Sequence, residues 1–421
     1  MKATIQTYSP SLNAVKKAAK TLKCVTTVTP LMQNFRYSKE FDAHIVLKRE
    51  DLQQVRSYKI RGAYNKMNAL TNKERSKGIV CASAGNHAQG VAFACSRLKI
   101  DGTIFMPIPT PSQKIEQVRM FGGDYITIKL IGDTFDDANT AAKLECDALN
   151  KIFVHPFNDE KIIEGQATVA LEILEQSHEP IDYLFVPVGG GGLASGVSSM
   201  FKLLSPKTKV IRVEPEGAPS MKTAFSKGYN VRLNTIDKFI DGASVQQVGD
   251  KTFAICRDNL FDIITVPEGK VCQTILDVYN KDAIVVEPAG ALTLAALDTY
   301  KEALQGKHVV CVVSGSNNDI TRTAEIKERA LLHANLKHYF IIRFPQRAGA
   351  LKEFVAEILG PDDDITHFEY TKKSNRENAP AVVGIELKCP SDFEPLVLRM
   401  KQKSFFGEYL NNKPDLFEYL V

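Results

Sequence analysis

The 421-residue sequence predicts an α/β fold with two parallel sheets around a cleft, followed by a smaller α+β domain. From residue 43 to about residue 320, short apolar runs alternate with amphipathic stretches of helical length. This alternation is typical of parallel strands joined by helices that cover both faces of a sheet. The length exceeds what one ordinary core supports, so two or three domains are expected.

The first strand–helix series follows residues 1–42, which we expect to form a leader segment with helical stretches. Its predicted strands lie at 44–48, 79–81, 103–106 and 124–128, and its predicted helices at 61–70, 88–98, 111–121 and 135–149. Pro111 supports the third of these helices, because proline is favoured in the first helical turn.

A second series begins with a predicted helix at 163–176 and a buried strand at 183–188. A run of glycines follows this strand and leads into a helix that ends near Leu204. Further strands are predicted at 210–213, 263–266 and 309–313. Ligands bind at the carboxyl ends of strands in such sheets, so we expect the functional site in the cleft between the two series.

The last part of the chain has a different order of elements. A charged amphipathic stretch at 323–336 is predicted to be a connector helix. Strand, helix, strand, strand and helix are then predicted at 339–344, 350–359, 365–370, 382–387 and from Ser391 onward. Ser391 and Glu394 form a capping-box signature at the start of the last of these helices. This β-α-β-β-α order predicts a ferredoxin-like domain with an antiparallel sheet.

The composition argues against several classes of function. The net charge of +4 is small for this length and has no basic block, so nucleic acid is not an expected partner. No apolar run is long enough to span a bilayer, and the N-terminus lacks the apolar core of a signal peptide. The eight cysteines have no CxxC spacing, which argues against a zinc site and a disulfide framework. We therefore expect a cytoplasmic protein without membrane contact or a bound metal ion.

Lys59 is the first candidate for catalysis. It lies in the stretch Ser57–Ala63, between Tyr58 and Ile60, where the pattern turns helical. An amine in partly apolar surroundings loses solvation in its charged form, so its pKa falls and it becomes a usable nucleophile. Such an amine can hold an aldehyde cofactor as a Schiff base. The alternative is a lysine on a surface helix whose stem covers Tyr58.

The run Gly189–Gly192 stands between a buried strand and a helix. Consecutive glycines let several backbone N–H groups point into one concavity, and a helix N-terminus adds positive potential. The run is therefore a candidate phosphate-binding loop. A flexible linker, the alternative, would not be flanked on both sides by core elements. No G-x-G-x-x-G register with a downstream ribose acid indicates a dinucleotide.

Two further loops follow predicted strands. Ser83-Ala84-Gly85-Asn86-His87 offers N–H groups and the Ser83 hydroxyl to a small carboxylate, and the Asn86 amide can donate to a phenolic oxygen. Ordinary helix N-capping by Ser83 or Asn86 is the alternative, and His87 is expected to be structural. Ser314–Asn317 follows the last strand of the second series, where a hydroxyl could meet a ring nitrogen; a simple turn is the alternative.

Together, these four stretches resemble the fold-type II pyridoxal-phosphate enzymes, and among them most closely the threonine dehydratases (threonine ammonia-lyases). The resemblance covers about residues 20–325, and the C-terminal part resembles one copy of the ACT-like regulatory domain of the biosynthetic enzymes. It implies a catalytic domain at 1–322, with a small subdomain at about 50–150 inserted in a larger one. A connector helix at 323–336 and an ACT-like domain at 337–421 would follow.

The resemblance also implies roles for individual residues. Lys59 would form the internal aldimine with pyridoxal 5'-phosphate and, once displaced, act as the base at the substrate Cα. Asn86 would bond to the pyridine 3-oxygen, Ser314 would face the pyridine nitrogen, and loop 83–87 would hold the substrate carboxylate. The phosphate would be bound by Gly189, Gly190, Gly191, Gly192 and Leu193. The loops Asp241–Ala243 and Glu287–Gly290 resemble segments that line the ring.

The implied reaction removes the β-hydroxyl of L-threonine and gives 2-oxobutyrate and ammonia through an aminoacrylate, as the first step of isoleucine biosynthesis. A serine at the ring nitrogen leaves that nitrogen largely unprotonated, which favours prompt elimination. Serine racemases of this fold have a second serine as a base where this chain has Ala84, so racemisation is not expected. Glu214 and Ala218 resemble part of a cation site in those relatives, but Ser220 replaces an acid there.

Other functions stay open at the level of the sequence. They are a β-eliminating or β-replacing enzyme that acts on L-serine, a non-catalytic amino-acid sensor and, more distantly, a nucleotide-dependent oxidoreductase. The resemblance further implies a homotetramer inhibited by isoleucine, with valine as the opposing effector. The strand-to-helix loop Pro345–Leu351 is the candidate effector site, and a turn that serves only assembly is the alternative.

Overall fold

The computed structural model of the chain describes residues 8–259, 261–371 and 377–420. The chain divides into two compact units, residues 1–320 and 321–421. The first unit contains a six-stranded and a four-stranded sheet, and the second contains one four-stranded sheet. The predicted α/β fold with an added α+β part is confirmed.

The larger sheet of the first unit has the strand order β1-β2-β10-β7-β8-β9. Its strands are β1 (Leu31–Gln33), β2 (His44–Arg49), β7 (Tyr183–Pro187), β8 (Lys209–Pro215), β9 (Asp262–Val266) and β10 (His308–Val313). The short β1 is antiparallel to β2, and every other pair is parallel. The four strands predicted in the second series are confirmed in this sheet. The strand predicted at 44–48 is confirmed as β2, but its place in the first series is wrong, because β2 pairs with β10 in the larger sheet. β1 is an addition at the edge.

The smaller sheet is parallel and has the order β5-β4-β3-β6. Its strands are β3 (Ile79–Ala82), β4 (Gly102–Met106), β5 (Ile126–Leu130) and β6 (Ile152–Phe153). β5 begins two residues later than predicted because Gly123–Tyr125 forms a 3-10 turn. The two-residue β6 was not predicted, since so short a strand has no readable periodicity.

Helices cover these two sheets. In chain order they are α1 (Leu12–Leu22), α2 (Phe35–Phe41), α3 (Lys59–Asn68), α4 (Asn72–Arg75), α5 (Asn86–Leu98), α6 (Ser112–Gly122), α7 (Phe135–Ala148), α8 (Glu160–Gln176), α9 (Gly192–Leu204), α10 (Ser220–Lys227), α11 (Asp250–Asp258), α12 (Glu268–Asp282) and α13 (Pro288–Ala295). α8 and α9 pack against the larger sheet, with Leu184, Val197 and Val310 in the shared core. Within the described ranges, no helix has both the length and the apolar composition needed to cross a membrane.

The second unit is built on an antiparallel sheet with the order β12-β13-β11-β14. Its elements are α14 (Thr323–His333), β11 (Lys337–Pro345), α15 (Ala350–Glu353), a π-helical turn (Phe354–Ile358), β12 (Asp364–Tyr370), β13 (Asn378–Glu386), α16 (Phe393–Gln402), β14 (Phe406–Tyr409) and α17 (Pro414–Leu420). The predicted β-α-β-β-α order is confirmed, and β14 and α17 extend it. The predicted capping box is wrong, because Ser391 lies in a 3-10 turn and α16 begins without a side-chain cap.

Candidate active site

A pocket opens where β7 and β10 end, at the carboxyl edge of the larger sheet. Its lining consists of Tyr58, Lys59, Asn86, Pro187, Gly189, Gly242, Ala243, Glu287, Ala289 and Ser314. Residues from all four of the stretches singled out in the sequence therefore meet in one place. Among the described lining residues, the glycine run is represented by Gly189 and the loop 83–87 by Asn86.

Lys59 is the first residue of α3 and is partly buried in this pocket. Its Nζ donates to the Pro156 carbonyl at 3.1 Å and lies 5.5 Å from the centre of the Tyr58 ring. Burial lowers the pKa of Lys59 to about 8, and the nearby Glu287 carboxylate opposes part of this shift. The amine is therefore closer to its neutral, nucleophilic form than an exposed lysine at the same pH.

The glycine run forms a tight turn between β7 and α9. Gly191 is the N-cap of α9 and has a φ of 89°, a conformation that favours glycine. The first intrahelical bond runs from the Ser195 amide to the Gly191 carbonyl, so the N–H groups before Ser195 at the start of α9 have no partner inside the helix. A Cβ at Gly189 would lie 2.9 Å from the Ala243 Cα, and one at Gly190 would lie 2.1 Å from the Phe157 ring. The run therefore packs too closely against Ala243 and Phe157 to carry side chains at these two positions.

Asn86 is held at both ends of its amide. Its Nδ2 donates to Glu287 Oε1 at 2.6 Å, and its Oδ1 accepts from Asn317 Nδ2 at 2.6 Å. Asn317 Nδ2 also donates to the Val55 carbonyl at 2.9 Å, which anchors the chain of bonds to the segment before α3. These contacts fix the orientation of the Asn86 amide at the pocket.

Glu287 lies in one of the two loops that resemble ring-lining segments, but sequence reasoning assigned its side chain no specific role. It is buried at the N-terminus of α13, and burial raises its pKa to about 7. An acid directly before a proline that opens a helix was the one local signal that pointed to it. Its partners Asn86 and Lys59 are distant in sequence, so only the folded chain shows the contact.

Ser314 follows β10 and is almost fully buried. Its backbone carbonyl accepts from the Tyr58 amide at 3.2 Å, and the neighbouring Gly315 carbonyl accepts from the Glu287 amide at 3.1 Å. A Cβ at Gly315 would lie 2.4 Å from Glu287 Oε1, so this turn requires glycine. The Ser314 hydroxyl is thereby placed at the wall of the pocket by backbone contacts on both sides.

The loop 83–87 joins β3 to α5. Gly85, without a side-chain bond, is the N-cap of α5, so the N-capping alternative for Ser83 and Asn86 is wrong. Ser83 Oγ accepts from the Gly85 amide at 3.3 Å. His87 is buried, its Nε2 contacts the Val154 carbonyl at 2.9 Å, and burial lowers its pKa to about 3. The ring is therefore neutral at physiological pH and has a structural contact.

The structure shows the contacts of two other candidates from the sequence, Glu214 and the loop Pro345–Leu351. Glu214 accepts from the Met221 and Lys222 amides at 2.7 and 2.8 Å, so it caps α10, and burial raises its pKa to about 8. In the second unit, the loop Pro345–Leu351 turns into α15 through Gly349 at a φ of 87°, and Arg347 pairs with Glu353.

The donor set of the pocket fits pyridoxal phosphate. A phosphate matches the N–H groups at the start of α9, which have no partner inside the helix, and an aldehyde matches the amine of Lys59. A ring nitrogen without a proton matches a hydroxyl donor such as that of Ser314, and a phenolic oxygen matches the Asn86 amide.

Comparison with protein families agrees with this donor set. Residues 25–315 match the family described as pyridoxal-phosphate dependent enzyme, and residues 328–420 match the C-terminal regulatory domain of threonine dehydratase. The fold and the site thus define a pyridoxal-phosphate-dependent enzyme with an added regulatory domain. The predicted cofactor is confirmed.

Proteins similar in sequence narrow the assignment from the cofactor class to one family of enzymes. The biosynthetic L-threonine dehydratase of Halalkalibacterium halodurans is 53% identical to this chain, and the match covers 96% of this chain and 97% of that protein. The biosynthetic L-threonine dehydratase of Bacillus subtilis is 54% identical, and the match covers 97% of this chain and 96% of that protein. The chain belongs to the family of biosynthetic threonine dehydratases.

Solved structures support the same fold. A threonine deaminase of Solanum lycopersicum is 37% identical, with a TM-score of 0.71 over 76% of this chain and 90% of that one. A maize serine racemase is 30% identical, with a TM-score of 0.71 over 77% of this chain and 99% of that one. The predicted fold-type II architecture and the predicted lyase class are confirmed.

Proposed function

We propose that this enzyme converts L-threonine to 2-oxobutyrate and ammonia, with L-serine as a second substrate. The observation that carries the proposal is the convergence of Lys59, Asn86, Gly189 and Ser314 on one pocket. About half of all residues are shared with biosynthetic dehydratases over nearly the full length, which supports threonine over other amino acids.

In the proposed site, each residue has one task. When bound, pyridoxal phosphate acts as an electron sink for the substrate Cα. Lys59 would hold the cofactor aldehyde, and its free amine would accept the proton from the substrate Cα, which its lowered pKa permits. The N–H groups of Gly189, Gly190, Gly191, Gly192 and Leu193 bind the phosphate.

Asn86 and Ser314 orient the cofactor ring. One N–H of the Asn86 amide is held by Glu287, which leaves the other N–H free to donate to the ring oxygen. The Ser314 hydroxyl would meet the ring nitrogen as an uncharged partner, which leaves that nitrogen largely unprotonated.

The loop Ser83-Ala84-Gly85-Asn86-His87 is proposed to hold the substrate carboxylate. It stands at the N-terminus of α5, where N–H groups and the helix dipole attract an anion. The methyl group of Ala84 offers no second base on the opposite face of the substrate, so elimination rather than racemisation is expected. No role for a metal ion is proposed in this reaction.

Regulation is proposed for the second unit. We propose a catalytic domain at 1–322, a connector helix at 323–336 and an ACT-like domain at 337–421, whose loop Pro345–Leu351 binds isoleucine or valine. Inhibition by isoleucine suits an enzyme that catalyses the first step of isoleucine synthesis. A cytoplasmic homotetramer is the expected form of the protein.

The direct test measures ketoacid release from L-threonine by the purified enzyme. Lys59→Ala should abolish release, and Lys66→Ala on the same helix, whose Nζ pairs with Asp159 at 2.7 Å, should retain it. If the protein binds the cofactor and is yellow but releases no ketoacid, the assignment of L-threonine as its substrate is refuted. Formation of D-allo-threonine, the product of inversion at Cα, would refute the role given to Ala84, and unchanged ketoacid release on addition of isoleucine would refute the proposed feedback.

A further inference from the structure

Two histidines and a glutamate meet at the edge of the larger sheet that lies opposite the cofactor pocket. His44 is the first residue of β2 and His308 the first residue of β10, and the parallel pairing sets them side by side. Glu179 precedes β7, which pairs with β10 on its other side. The cluster therefore lies at the amino ends of three neighbouring strands, whereas the pocket lies at their carboxyl ends.

The three side chains offer ligand atoms to a common point. One ring nitrogen of each histidine and one oxygen of Glu179 all lie within 4.8 Å of one another. The His44 Nδ1 and the Glu179 Oε2 are 3.8 Å apart. With zinc–nitrogen distances of about 2.0–2.1 Å, tetrahedral ligands lie about 3.3 Å apart, so the cluster needs only to close slightly.

His308 is the fixed member of the cluster. It is 7% exposed, and its Nδ1 is buried without a hydrogen-bond partner among the described residues. A buried ring nitrogen with no partner is costly, and it needs a ligand or water to satisfy it. The backbone N–H of His308 donates to Asp182 Oδ2 at 2.9 Å, which holds the start of the strand in place.

The charge of the cluster suits a cation. A neutral imidazole is the form that binds a metal ion. Two imidazoles and one carboxylate leave a fourth position for water, as in open zinc sites.

We propose that His44, Glu179 and His308 form a binding site for Zn²⁺, completed by one water molecule. The two rings are stacked, with centroids 4.7 Å apart and planes 18° apart, so their lone pairs do not yet converge. Binding requires the His44 ring to turn while His308 stays in place. The side chains of His44 and Glu179 are 41% and 67% exposed, so both have room to move.

An ion at this site would tie together three strands that are distant in sequence. It would stabilise the larger sheet at the end away from the chemistry, and the reaction would not pass through it. The expectation of no metal rested on the spacing of the cysteines and did not consider these three ligands, which have no common local spacing. Their proximity comes from the pairing of β2 with β10 and of β10 with β7.

The test uses the full-length holoenzyme and Co²⁺ as a spectroscopic probe for the zinc site. One equivalent of Co²⁺ per chain should give the visible absorption of tetrahedral cobalt, and one equivalent of Zn²⁺ should remove it. His44→Ala and Glu179→Gln should each weaken Co²⁺ binding at least tenfold. Both replace exposed or half-exposed side chains, so the fold and the ketoacid release should be preserved.

His178→Ala and Glu175→Gln are the matched controls, since both residues are exposed near the cluster. They should bind Co²⁺ as the wild type does. Unchanged binding by His44→Ala, or loss of binding in His178→Ala, would overturn the assignment. A thiolate-to-cobalt charge-transfer band would also overturn it, because it would place the ion at the exposed Cys24 or Cys389. Absence of any stoichiometric Co²⁺ binding would refute the site outright.

Discussion

The lowered pKa of Lys59 predicts how the apoprotein takes up its cofactor as the pH changes. Only the neutral amine attacks an aldehyde, and with a pKa of about 8, about a tenth of Lys59 is neutral at pH 7. This is roughly 200-fold more neutral amine than an ordinary lysine provides at the same pH. The rate of cofactor incorporation should therefore rise with pH and reach half of its maximum near pH 8.

Glu287→Gln is the perturbation that tests the cause of this behaviour. The Glu287 carboxylate, with a pKa of about 7, is about nine-tenths ionised at pH 8, and its charge raises the pKa of Lys59. Glutamine keeps an oxygen that accepts from the Asn86 amide but removes the charge. The midpoint of cofactor incorporation should move to lower pH, whereas Glu216→Gln, at an exposed position, should leave it unchanged.

The assay mixes apoprotein with pyridoxal phosphate in stopped flow and follows the absorbance of the bound cofactor from pH 6 to 10. Pyridoxine phosphate, which has no aldehyde, is the matched ligand, and its affinity should show no step attributable to Lys59. A midpoint near that of an ordinary lysine would refute the burial of the amine as the cause. A midpoint that rises in Glu287→Gln would refute the proposed electrostatic coupling.

Two further substitutions test the glycine run and a buried ion pair. Gly190→Ala should weaken cofactor binding at least tenfold in an apoprotein titration, because its Cβ would lie 2.1 Å from the Phe157 ring; Gly85→Ala, which has open space around its Cβ, should not. Equal affinities would contradict the requirement for glycine in the run Gly189–Gly192. Glu50→Gln should lower the free energy of unfolding in urea by about 3 kcal/mol, because it breaks a buried ion pair with Arg61. A loss below about 1 kcal/mol would contradict this reasoning.

Much of the candidate site could be predicted because its residues follow strands directly. Gly189 and Ser314 come after the buried strands β7 and β10, and the carboxyl ends of parallel strands share one edge of a sheet. Apolar runs of strand length therefore located both loops without any tertiary information. The role of Lys59 could be predicted only together with the other three stretches, since a lysine at the start of a helix has no distinctive sequence pattern.

What the sequence did not predict depends on contacts between distant segments. The bond from Asn86 to Glu287 joins residues 201 positions apart, and the histidine pair depends on the register between β2 and β10. The capping box at Ser391 failed for a local reason, because the turn Pro390–Asp392 takes the position that the cap would need. Very short strands such as β6 obtain their conformation from the neighbour they pair with.

The pairing of β2 with β10 also has a consequence for the order in which the newborn chain can fold. β3 to β6 are all synthesised by residue 153, so the smaller sheet can assemble while translation continues. β2 is largely buried in the finished protein, yet its parallel partner emerges from the ribosome only with residues 308–313. β2 therefore lacks its parallel partner during most of the elongation time, and chaperones have access to it in that period. The cofactor-binding pocket is likewise incomplete until Ser314 has been added, because a chain that stops short of it lacks the residue proposed to meet the ring nitrogen.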